Sequence, residues 1–401
     1  MVKECLISLY LFAFKTVFSL FKGFPARNKV TFLVSFGQNS IYVYEEMLRQ
    51  KAEYEIVFLY QDTCQYDFSE FDRMKTAAFE TLNIIDMVRS IYHLATSRYV
   101  ILDNYFGFLS AVEFKEETEC IQLWHAAGAI KKFGLMDQSI SDRTGKARKR
   151  FANVYKKFNK VTVGSEKMAR IFAEAFNLPS ECFLRTGIPR TDLFYDEKRQ
   201  RRAVDRLVSG NPAFADKKVI LYAPTFRDHQ LDRFDMKLDL DLMYQALGEE
   251  YVLLLRFHPS IKHHTDYERQ YPGFIYDYST FADVNELLLI TDYLVTDYSS
   301  VAYEYALLNK PMIFFPNDLE DYEVRRGCLG DYESIVPGPI IHNTSGIIEL
   351  IKHEPFDYQQ IQTFAQKWNH YSRGQSSRKF VDYLLGRQEM EDSTSGERST
   401  L

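Results

Sequence analysis

Residues 30–37 read VTFLVSFG, and residues 219–226 read VILYAPTF. Each stretch is a short run of β-branched, aliphatic and aromatic side chains that ends at a glycine or proline. A short apolar run bounded in this way predicts a strand that is buried on both faces. Because further strands of this kind alternate with helical patterns along the chain, the sequence predicts an α/β fold with parallel sheets.

The alternation occurs twice, and the polar stretch 196–218 separates the two halves. Predicted strands cover about 30–36, 55–60, 99–103, 120–124, 160–163 and 183–185 in the first half, and 219–223, 251–257, 293–296 and 311–315 in the second. Predicted helices cover about 40–50, 166–176, 238–247, 283–290, 301–308 and 358–385. Two such units joined near residue 200 indicate two facing Rossmann-like domains with a cleft between them. The predicted segments are 1–29 at the N-terminus, domains 30–200 and 201–386, and a disordered tail at 387–401.

The composition is that of a globular protein. The chain has 401 residues, a formal net charge of −6, 27 Tyr and 32 Phe, which excludes a disordered or collagen-like chain. The mild negative charge argues against a protein that coats nucleic acid, so no nucleic-acid partner is expected. The five cysteines are far apart and form no C-x-x-C pair. We therefore expect reduced, mostly buried thiols in a chain exposed to the cytosol.

The N-terminal stretch 5–21 is apolar except for Lys15 and small hydroxyl residues. Because Lys15 divides it into two pieces shorter than a membrane span, and no signal-peptide cleavage site follows, an amphipathic interfacial helix is favoured. The alternative is a helix that packs on the protein's own core. Residues 131–160 carry ten Lys or Arg against two Asp. This basic stretch and the N-terminal lysines together favour an anionic membrane surface as a partner, in a peripheral, monotopic association with the cytoplasmic face of the cell membrane.

A histidine and a run of small residues follow the predicted strand 120–124. The residues are His125, Ala126, Ala127, Gly128 and Ala129. Small side chains at the carboxyl end of a strand let backbone N–H groups approach a ligand, and a histidine there can act as a base or bind phosphate. A core histidine beside a tight turn explains the same residues, and the sequence leaves both interpretations open.

Two further groups of polar residues follow strands in the second half of the chain. Arg256, Phe257 and His258 end the predicted strand 251–257, so Arg256 and His258 would share one face and meet one anion. A structural ion pair is the alternative. Ser299 and Ser300 precede a predicted helix, where N–H groups and hydroxyls favour a phosphate, although ordinary N-capping explains the same residues.

Arg190, Pro224, Thr225 and Glu304 complete a set of residues placed at or just beyond the ends of strands. Such residues are expected to face one cleft, where open α/β sheets bind ligands. Neither a G-x-x-x-x-G-K-[ST] phosphate loop nor a G-x-G-x-x-G fingerprint is present. The D-x-D motif at Asp239 and Asp241 opens a helical segment, so helix capping is favoured over metal binding.

Six motifs, in their order along the chain, resemble the CDP-glycerol glycerophosphotransferase family of teichoic acid synthesis. They are WHAAGAIKKFG (124–134), TGIPRTD (186–192), YAPTFRD (222–228), LRFHPS (255–260), VTDYSSVAYEYALLNKPMIFF (295–315) and DLEDYEVRRG (318–327). The resemblance covers nearly all of residues 30–340. It implies a GT-B fold and membrane association.

The resemblance also implies roles for individual residues. His125 is expected to be the base that activates the acceptor hydroxyl, beside the backbone loop Ala126 to Ala129. The positions expected to bind CDP-glycerol are Arg190, Pro224, Thr225, Arg256, Phe257, His258, Ser299, Ser300 and Glu304. Among them, His258 (also expected to be catalytic) and the two serines would hold the diphosphate, and Glu304 would face the ribose. Asp297 is expected to orient the loop.

The expected reaction transfers glycerol phosphate from CDP-glycerol to a hydroxyl of an undecaprenyl-diphosphate-linked saccharide or of growing poly(glycerol phosphate), and releases CMP. Because fixed donors can replace a cation, we expect no cofactor and no obligatory metal. Many family members have W-H-G-T-P-L-K-K where this chain has WHAAGAIKK, a form similar to that of primases and some ribitol phosphate transferases. CDP-ribitol as donor, a capsule or lipoglycan acceptor, and a non-catalytic membrane-bound scaffold therefore remain alternatives.

Overall fold

The structure is a computed structural model that describes residues 2–71, 73–227, 234–258, 261, 265–353 and 355–387. It has an α/β fold with two parallel sheets. The first sheet has seven strands in the order β3-β2-β1-β4-β5-β6-β7. Its strands are β1 Arg27–Val34, β2 Glu55–Tyr60, β3 Met74–Ala78, β4 Ser97–Leu102, β5 Glu119–Gln122, β6 Lys160–Thr162 and β7 Phe183–Leu184.

The second sheet has five strands in the order β10-β9-β8-β11-β12. Its strands are β8 Lys218–Ala223, β9 Tyr251–Leu255, β10 Ile275–Asp277, β11 Tyr293–Thr296 and β12 Met312–Phe314. In the first sheet, β1 lies between β2 and β4, and in the second sheet, β8 lies between β9 and β11. From β1 and from β8, the chain therefore adds strands first on one side and later on the other. This reversal of strand order opens a crevice beyond the carboxyl ends of β1 and β4, and of β8 and β11.

Helices connect the strands and cover the sheets. They are α1 Val2–Phe21, α2 Gln38–Arg49, α3 Ile84–Ala95, α4 Gly145–Tyr155, α5 Glu166–Phe176, α6 Glu197–Gly210, α7 Ala213–Asp216, α8 Leu240–Leu247, α9 Tyr267–Gln270, α10 Val284–Ile290, α11 Val301–Tyr305, α12 Leu319–Arg325, α13 Tyr332–Ile335, α14 Thr344–His353, α15 Tyr358–Trp368 and α16 Ser376–Leu384. The predicted α/β class is confirmed.

The burial of β1 shows why its sequence forms a central strand. Val30, Phe32 and Val34 pack on one face of the sheet, and Leu33 packs on the other. Both faces are thus covered, which is why the strand is a nearly continuous apolar run. Helix α16 closes the first of these faces, because Phe380 and its neighbours pack against β1 and β2. The final helix therefore returns to the first sheet.

Several local predictions were wrong. The polar stretch 196–218, for which no helix was predicted, is largely helical (α6 and α7). Strands β3 and β10 and helices α3 and α4 were not predicted. None of the five cysteines is in a disulfide, but Cys120 alone among them is buried. Residues 388–401, which make up nearly all of the predicted tail, lie outside the described residues.

Helix α1 is continuous through Lys15, so the lysine does not divide it. Phe14 and Phe18 are buried against the first sheet's helices and loops, and the Phe14 ring lies 4.7 Å from the ring of Phe108. The rest of the helix is largely exposed: the 18-residue window Glu4–Phe21 has a mean hydropathy of 1.6, and 11% of it is buried. Helix α1 is thus long and apolar enough to span a membrane. Core helices of soluble proteins and signal sequences can have the same length and composition.

Candidate active site

Loops beyond the strand ends of both sheets enclose a cavity of about 250 Å³. All but one of the residues predicted for substrate binding or catalysis line it. These are His125, Ala126, Gly128, Ala129, Arg190, Pro224, Thr225, Arg256, Phe257, His258, Ser299, Ser300 and Glu304. The exception is Ala127, which is fully buried behind the loop. Residues 175 or more positions apart in the chain, such as His125 and Ser300, therefore meet at one site.

The ring of His125 is fixed in a single orientation. It lies between two aromatic side chains, with ring centroids 4.5 Å from Phe36 and 4.6 Å from Trp124. Its Nδ1 lies 3.0 Å from the backbone oxygen of Asp103. A carbonyl oxygen can only accept, so Nδ1 carries the proton and Nε2 keeps its lone pair. Burial, helped by nearby Arg190, Lys131 and His258, lowers the pKa of His125 to about 3, so the ring is neutral at physiological pH.

The backbone at Trp124 is strained, and hydrogen bonds on both sides hold it. Trp124 has φ of +59°, an uncommon value for a residue with a side chain. Its N–H donates to Gln122 Oε1 at 2.8 Å, and its carbonyl accepts from Asn39 Nδ2 at 2.8 Å. Strain of this kind persists where the surroundings over-determine the conformation, and it is concentrated at functional sites. Here it places His125 at the edge of the cavity.

Asp103 holds the turn at residues 35–37, next to His125. Its buried carboxylate accepts hydrogen bonds from the backbone N–H groups of Ser35, Phe36 and Gly37 at 2.8–2.9 Å. Burial raises the pKa of Asp103 to about 6, although the three N–H donors oppose this. Gly37 has φ of +89°, which allows the tight turn. Asp103 thus holds the turn that carries Phe36 through its carboxylate, and it holds His125 through its backbone carbonyl.

Two predicted substrate-binding residues bind each other. Arg190 donates to Glu304 Oε1 through Nε at 3.1 Å and also through a second guanidinium nitrogen, and both side chains are almost fully buried. The N–H of Ala127 donates to the same oxygen at 3.2 Å. A Cβ on Gly128 would come within 2.3 Å of the Tyr303 ring, so only glycine fits there. These contacts lock the 125–129 loop to the loop and helix that carry Glu304.

Arg256 and His258 lie beyond the end of their strand, which corrects one prediction. Strand β9 ends at Leu255, so the argument that both side chains share a strand face does not apply. Both nevertheless line the cavity. Arg256 donates to the backbone oxygens of Tyr278, at 2.8 Å, and Ser279. Burial lowers the pKa of Arg256 to about 10 and that of His258 to about 4.

The loop after β11 presents two hydroxyls to the cavity. Ser300 precedes α11 and forms no side-chain capping bond, whereas the Ser299 hydroxyl accepts from the Val301 N–H at 3.4 Å. Asp297 does not line this cavity; its carboxylate accepts from Thr225 N at 2.7 Å and Tyr298 N at 2.6 Å. Asp297 therefore holds two loops together, in agreement with its expected orienting role.

Sequence reasoning missed several residues that build the site. Asp103 and Phe36 were counted only as parts of predicted strands, and Gln38, Asn39 and Asn285 were not singled out. Their position in the sequence could have identified them, since each lies at the end of a strand or at the first turn of a helix, where side chains reach a sheet's carboxyl edge. Which of them turn toward the cavity depends on packing.

The candidate D-x-D motif has a structural role. Asp239 Oδ1 accepts from the Leu242 N–H at 3.0 Å and so caps α8, and Asp241 accepts from the Tyr271 hydroxyl at 2.8 Å. The capping prediction is confirmed. Within the described ranges, no group of three or more His, Cys, Asp or Glu side chains is arranged to hold a metal ion.

Comparison with known proteins gives a consistent result. The family described as CDP-Glycerol:Poly(glycerophosphate) glycerophosphotransferase matches residues 16–386. The chain is 34% identical to the teichoic acid glycerol-phosphate primase of Bacillus subtilis (strain 168), over 96% of this chain and 98% of that protein. It is 36% identical to the teichoic acid ribitol-phosphate primase of Bacillus spizizenii, over 75% of this chain and 78% of that protein.

The solved structure of the wall teichoic acid polymerase TagF has a similar fold, with a TM-score of 0.79 at 24% identity, over 96% of this chain and 98% of that one. Together with the match of the family over nearly the whole chain, these relationships confirm the resemblance inferred from the motifs. The chain belongs to the CDP-glycerol:poly(glycerophosphate) glycerophosphotransferase family.

Proposed function

We propose that this protein transfers glycerol phosphate from CDP-glycerol to a hydroxyl of an undecaprenyl-diphosphate-linked saccharide in teichoic acid synthesis. The observation that carries the proposal is the fixed tautomer of His125, whose Nδ1 donates to the Asp103 carbonyl. A neutral imidazole with a free Nε2 lone pair at the edge of a cavity is suited to accept a proton. Family membership supplies the substrate class.

In the proposed step, the acceptor hydroxyl oxygen attacks the β-phosphorus of CDP-glycerol, and Nε2 of His125 takes its proton. The new O–P bond forms as the bond between the β-phosphorus and the bridging oxygen breaks. CMP leaves with the electron pair of the broken bond. The reaction therefore needs one base and donors for the charge that develops on the phosphate oxygens.

Groups on the second-sheet side of the cavity are proposed to supply those donors. Arg256, His258, Ser299 and Ser300 all line the same cavity as His125. Fixed donors need no reorganisation during the reaction, which is the main source of catalysis in phosphoryl transfer. We propose that they make a metal ion unnecessary. Full activity in EDTA is expected, and a complete loss that magnesium restores would contradict the proposal.

Glycerol phosphate is the proposed donor group, and ribitol phosphate is the second candidate, because relatives named for each alditol match at similar identity. The experiment is product mass after incubation with a synthetic lipid-linked disaccharide and either CDP-glycerol or CDP-ribitol. One added glycerol phosphate identifies a primase, and many identify a polymerase. If neither donor gives an added mass, the transferase proposal fails in favour of a binding scaffold.

We also propose that α1 attaches the protein to the cytoplasmic face of the cell membrane without crossing it. Leu6, Leu9, Phe12 and Leu20 are each more than 60% exposed on this helix. A second apolar group lies at the start of α3, where Leu82, Ile84 and Ile85 are at least 70% exposed. Helices α1 and α3 pack together, so both groups can enter the lipid headgroup boundary from one side of the molecule.

The basic stretch 131–160 supports this attachment, and the structure shows how to test it. Arg150 donates to Glu4 at 2.8 and 3.0 Å, so its reversal would also disturb α1. Lys149 is exposed and gives the cleaner test. Lys149→Glu changes the charge by two, so at roughly 1 kcal/mol per charge we expect it to weaken binding to phosphatidylglycerol vesicles by roughly 30-fold, whereas Lys198→Glu on α6 should have no effect. Unchanged binding of Lys149→Glu would count against the orientation.

Finally, we propose that the two sheets belong to two facing domains of the GT-B type, divided near residue 200. The support is that each sheet reverses its strand order where it meets the cavity, and that the fold resembles TagF. Closure of the cleft around CDP-glycerol would appear as a smaller radius of gyration by small-angle X-ray scattering. The same radius with and without saturating CDP-glycerol would argue against closure.

A further inference from the structure

Three residues of the cavity lining carry buried polar atoms that no described residue satisfies. The atoms are Thr225 Oγ1, Glu304 Oε2, and both Nδ2 and Oδ1 of Asn285. Thr225 and Glu304 are expected from the resemblance to bind substrate. Asn285 has no role in the reaction proposed above, yet its entire side-chain amide is unsatisfied among the described residues, and it is 1% exposed.

A primary amide in this position is costly to the folded protein. Buried polar groups nearly always have hydrogen-bond partners, and a donor or acceptor without one destabilises the fold. The backbone N–H of Asn285 donates to Asp283 Oδ1 at 3.0 Å, so the residue is held in place while its amide is left unused. Unsatisfied polar groups that persist in a cavity wall indicate a ligand that completes them.

A chain of hydrogen bonds connects the segment that carries Asn285 to Glu304. Arg190 binds Glu304 and also donates to Gln38 Oε1 at 3.3 Å. Gln38 in turn donates to the carbonyl of Ala282 at 3.0 Å, three residues before Asn285. These hydrogen bonds thus connect Glu304, through Arg190 and Gln38, to the segment 282–285 that carries Asn285.

Glu304 and Asn285 differ in hydrogen-bonding capacity, and this difference suits Glu304 to a ribose and Asn285 to a base. Glu304 is a carboxylate that can only accept, which suits the hydroxyl groups of a ribose. The amide of Asn285 presents a donor beside an acceptor. Cytosine offers the complementary pair on its Watson–Crick edge, an amino group at position 4 beside the unprotonated ring nitrogen at position 3.

We propose that Asn285 reads the cytosine of the donor nucleotide, with Nδ2–H donating to the ring nitrogen and Oδ1 accepting from the amino group. This inference rests on the proposed function, since it takes a cytidine diphosphate to be the donor. Asn285 is then a specificity-determining residue, because a base without this donor and acceptor order would leave the amide unpaired.

The test compares nucleotide fragments in the purified full-length protein. Calorimetry measures the affinities of CMP and of ribose 5-phosphate for the wild type and for Asn285→Leu, a substitution of similar volume. We expect Asn285→Leu to weaken CMP binding by roughly 10- to 100-fold and to leave ribose 5-phosphate binding unchanged. KM for CDP-glycerol should rise by a similar factor while kcat changes little.

Stability separates this role from a structural one. Because the amide has no partner in the described part of the free protein, Asn285→Leu should keep or raise the Tm. Tyr42→Phe is the matched control: it removes a buried hydroxyl that also has no partner among the described residues but does not line the cavity, so it should leave CMP binding unchanged. Asn285→Ala serves as a second variant if leucine prevents folding.

The outcomes are distinct. Unchanged CMP affinity in Asn285→Leu and Asn285→Ala, or an equal loss for CMP and ribose 5-phosphate, would overturn the assignment to the base. A lowered Tm with proportional loss of all ligands would show a structural role and overturn it as well. Failure of the wild type to transfer glycerol phosphate would refute the proposed function instead, and the measured CMP affinities would still decide the role of Asn285.

Discussion

The two walls of the cavity are built on opposite principles. On the first-sheet wall, His125 is fixed by two aromatic rings and a backbone carbonyl, and Asp103 holds the turn beneath it with three hydrogen bonds. On the second-sheet wall, Ser300 makes no capping bond, and the Thr225 hydroxyl and the Asn285 amide have no partner within the described residues.

This difference indicates a division of work. A base must be held in one tautomer and one orientation before the substrate arrives, so its hydrogen bonds are completed within the protein. Groups that bind a charged nucleotide keep their donors and acceptors for the ligand, at a cost in stability. We therefore expect substitutions in the first wall to reduce turnover and substitutions in the second wall to reduce nucleotide affinity.

The largest expected effect is that of His125→Ala. Loss of the general base should lower kcat by roughly 10²- to 10⁴-fold, while the affinity for CMP stays within a few fold of the wild type. Product formation and calorimetry measure the two quantities. His370→Ala, at an exposed histidine, is the control and should retain full activity. Retained activity of His125→Ala would refute the base assignment and remove the contrast between the walls.

His258→Ala should have the next largest effect, and on a different quantity. Removal of a donor from the diphosphate side should lower kcat/KM by roughly 10- to 100-fold and weaken CMP binding as well. The comparison with His125→Ala is the informative part. If the two variants lose turnover and affinity in the same proportions, the two walls do not differ in function.

Asp103→Asn probes how firmly the first wall is held. An amide cannot accept all three backbone hydrogen bonds as a carboxylate does, so the turn that carries Phe36 should loosen. We expect kcat to fall by about tenfold with CMP affinity unchanged, because Arg256, His258 and the two serines follow strands of the second sheet and do not depend on this turn. Asp239→Asn, at the capping position of α8, is the matched control and should leave kcat unchanged. A loss of CMP affinity in Asp103→Asn would show that the walls are coupled.

The smallest expected effect is the absence of a pH response at His125. Since burial lowers the pKa of this ring to about 3, the neutral form should persist as the pH falls from 8 to 5.5. Nitrogen-15 NMR of labelled histidine should show a protonated Nδ1 and an unprotonated Nε2 throughout, while free imidazole added to the sample titrates. A midpoint near 6.5 for His125 would mean that the ring is more solvated than its packing indicates.

Much of the fold follows from local patterns. Helix α5 and strand β11 begin and end where the sequence predicts, because a helical or apolar period fixes such elements without reference to the rest of the chain. Strands β3 and β10 were missed. Strand β3 lies at the edge of its sheet, and its consecutive residues Lys75 and Thr76 are both exposed. Its sequence therefore shows neither a buried apolar run nor a regular alternation of apolar and polar residues.

By itself, the sequence determined the α/β class, the order of the motifs and, through them, the family and 13 of the residues that line the cavity. Only the tertiary structure decided what each residue does there. The pairing of Arg190 with Glu304 joins positions 114 residues apart, and the tautomer of His125 depends on a carbonyl 22 residues earlier. The unsatisfied amide of Asn285 is likewise a property of its surroundings. Periodicity fixes which residues reach a strand's end, but hydrogen bonds between distant segments depend on packing, which no local pattern contains.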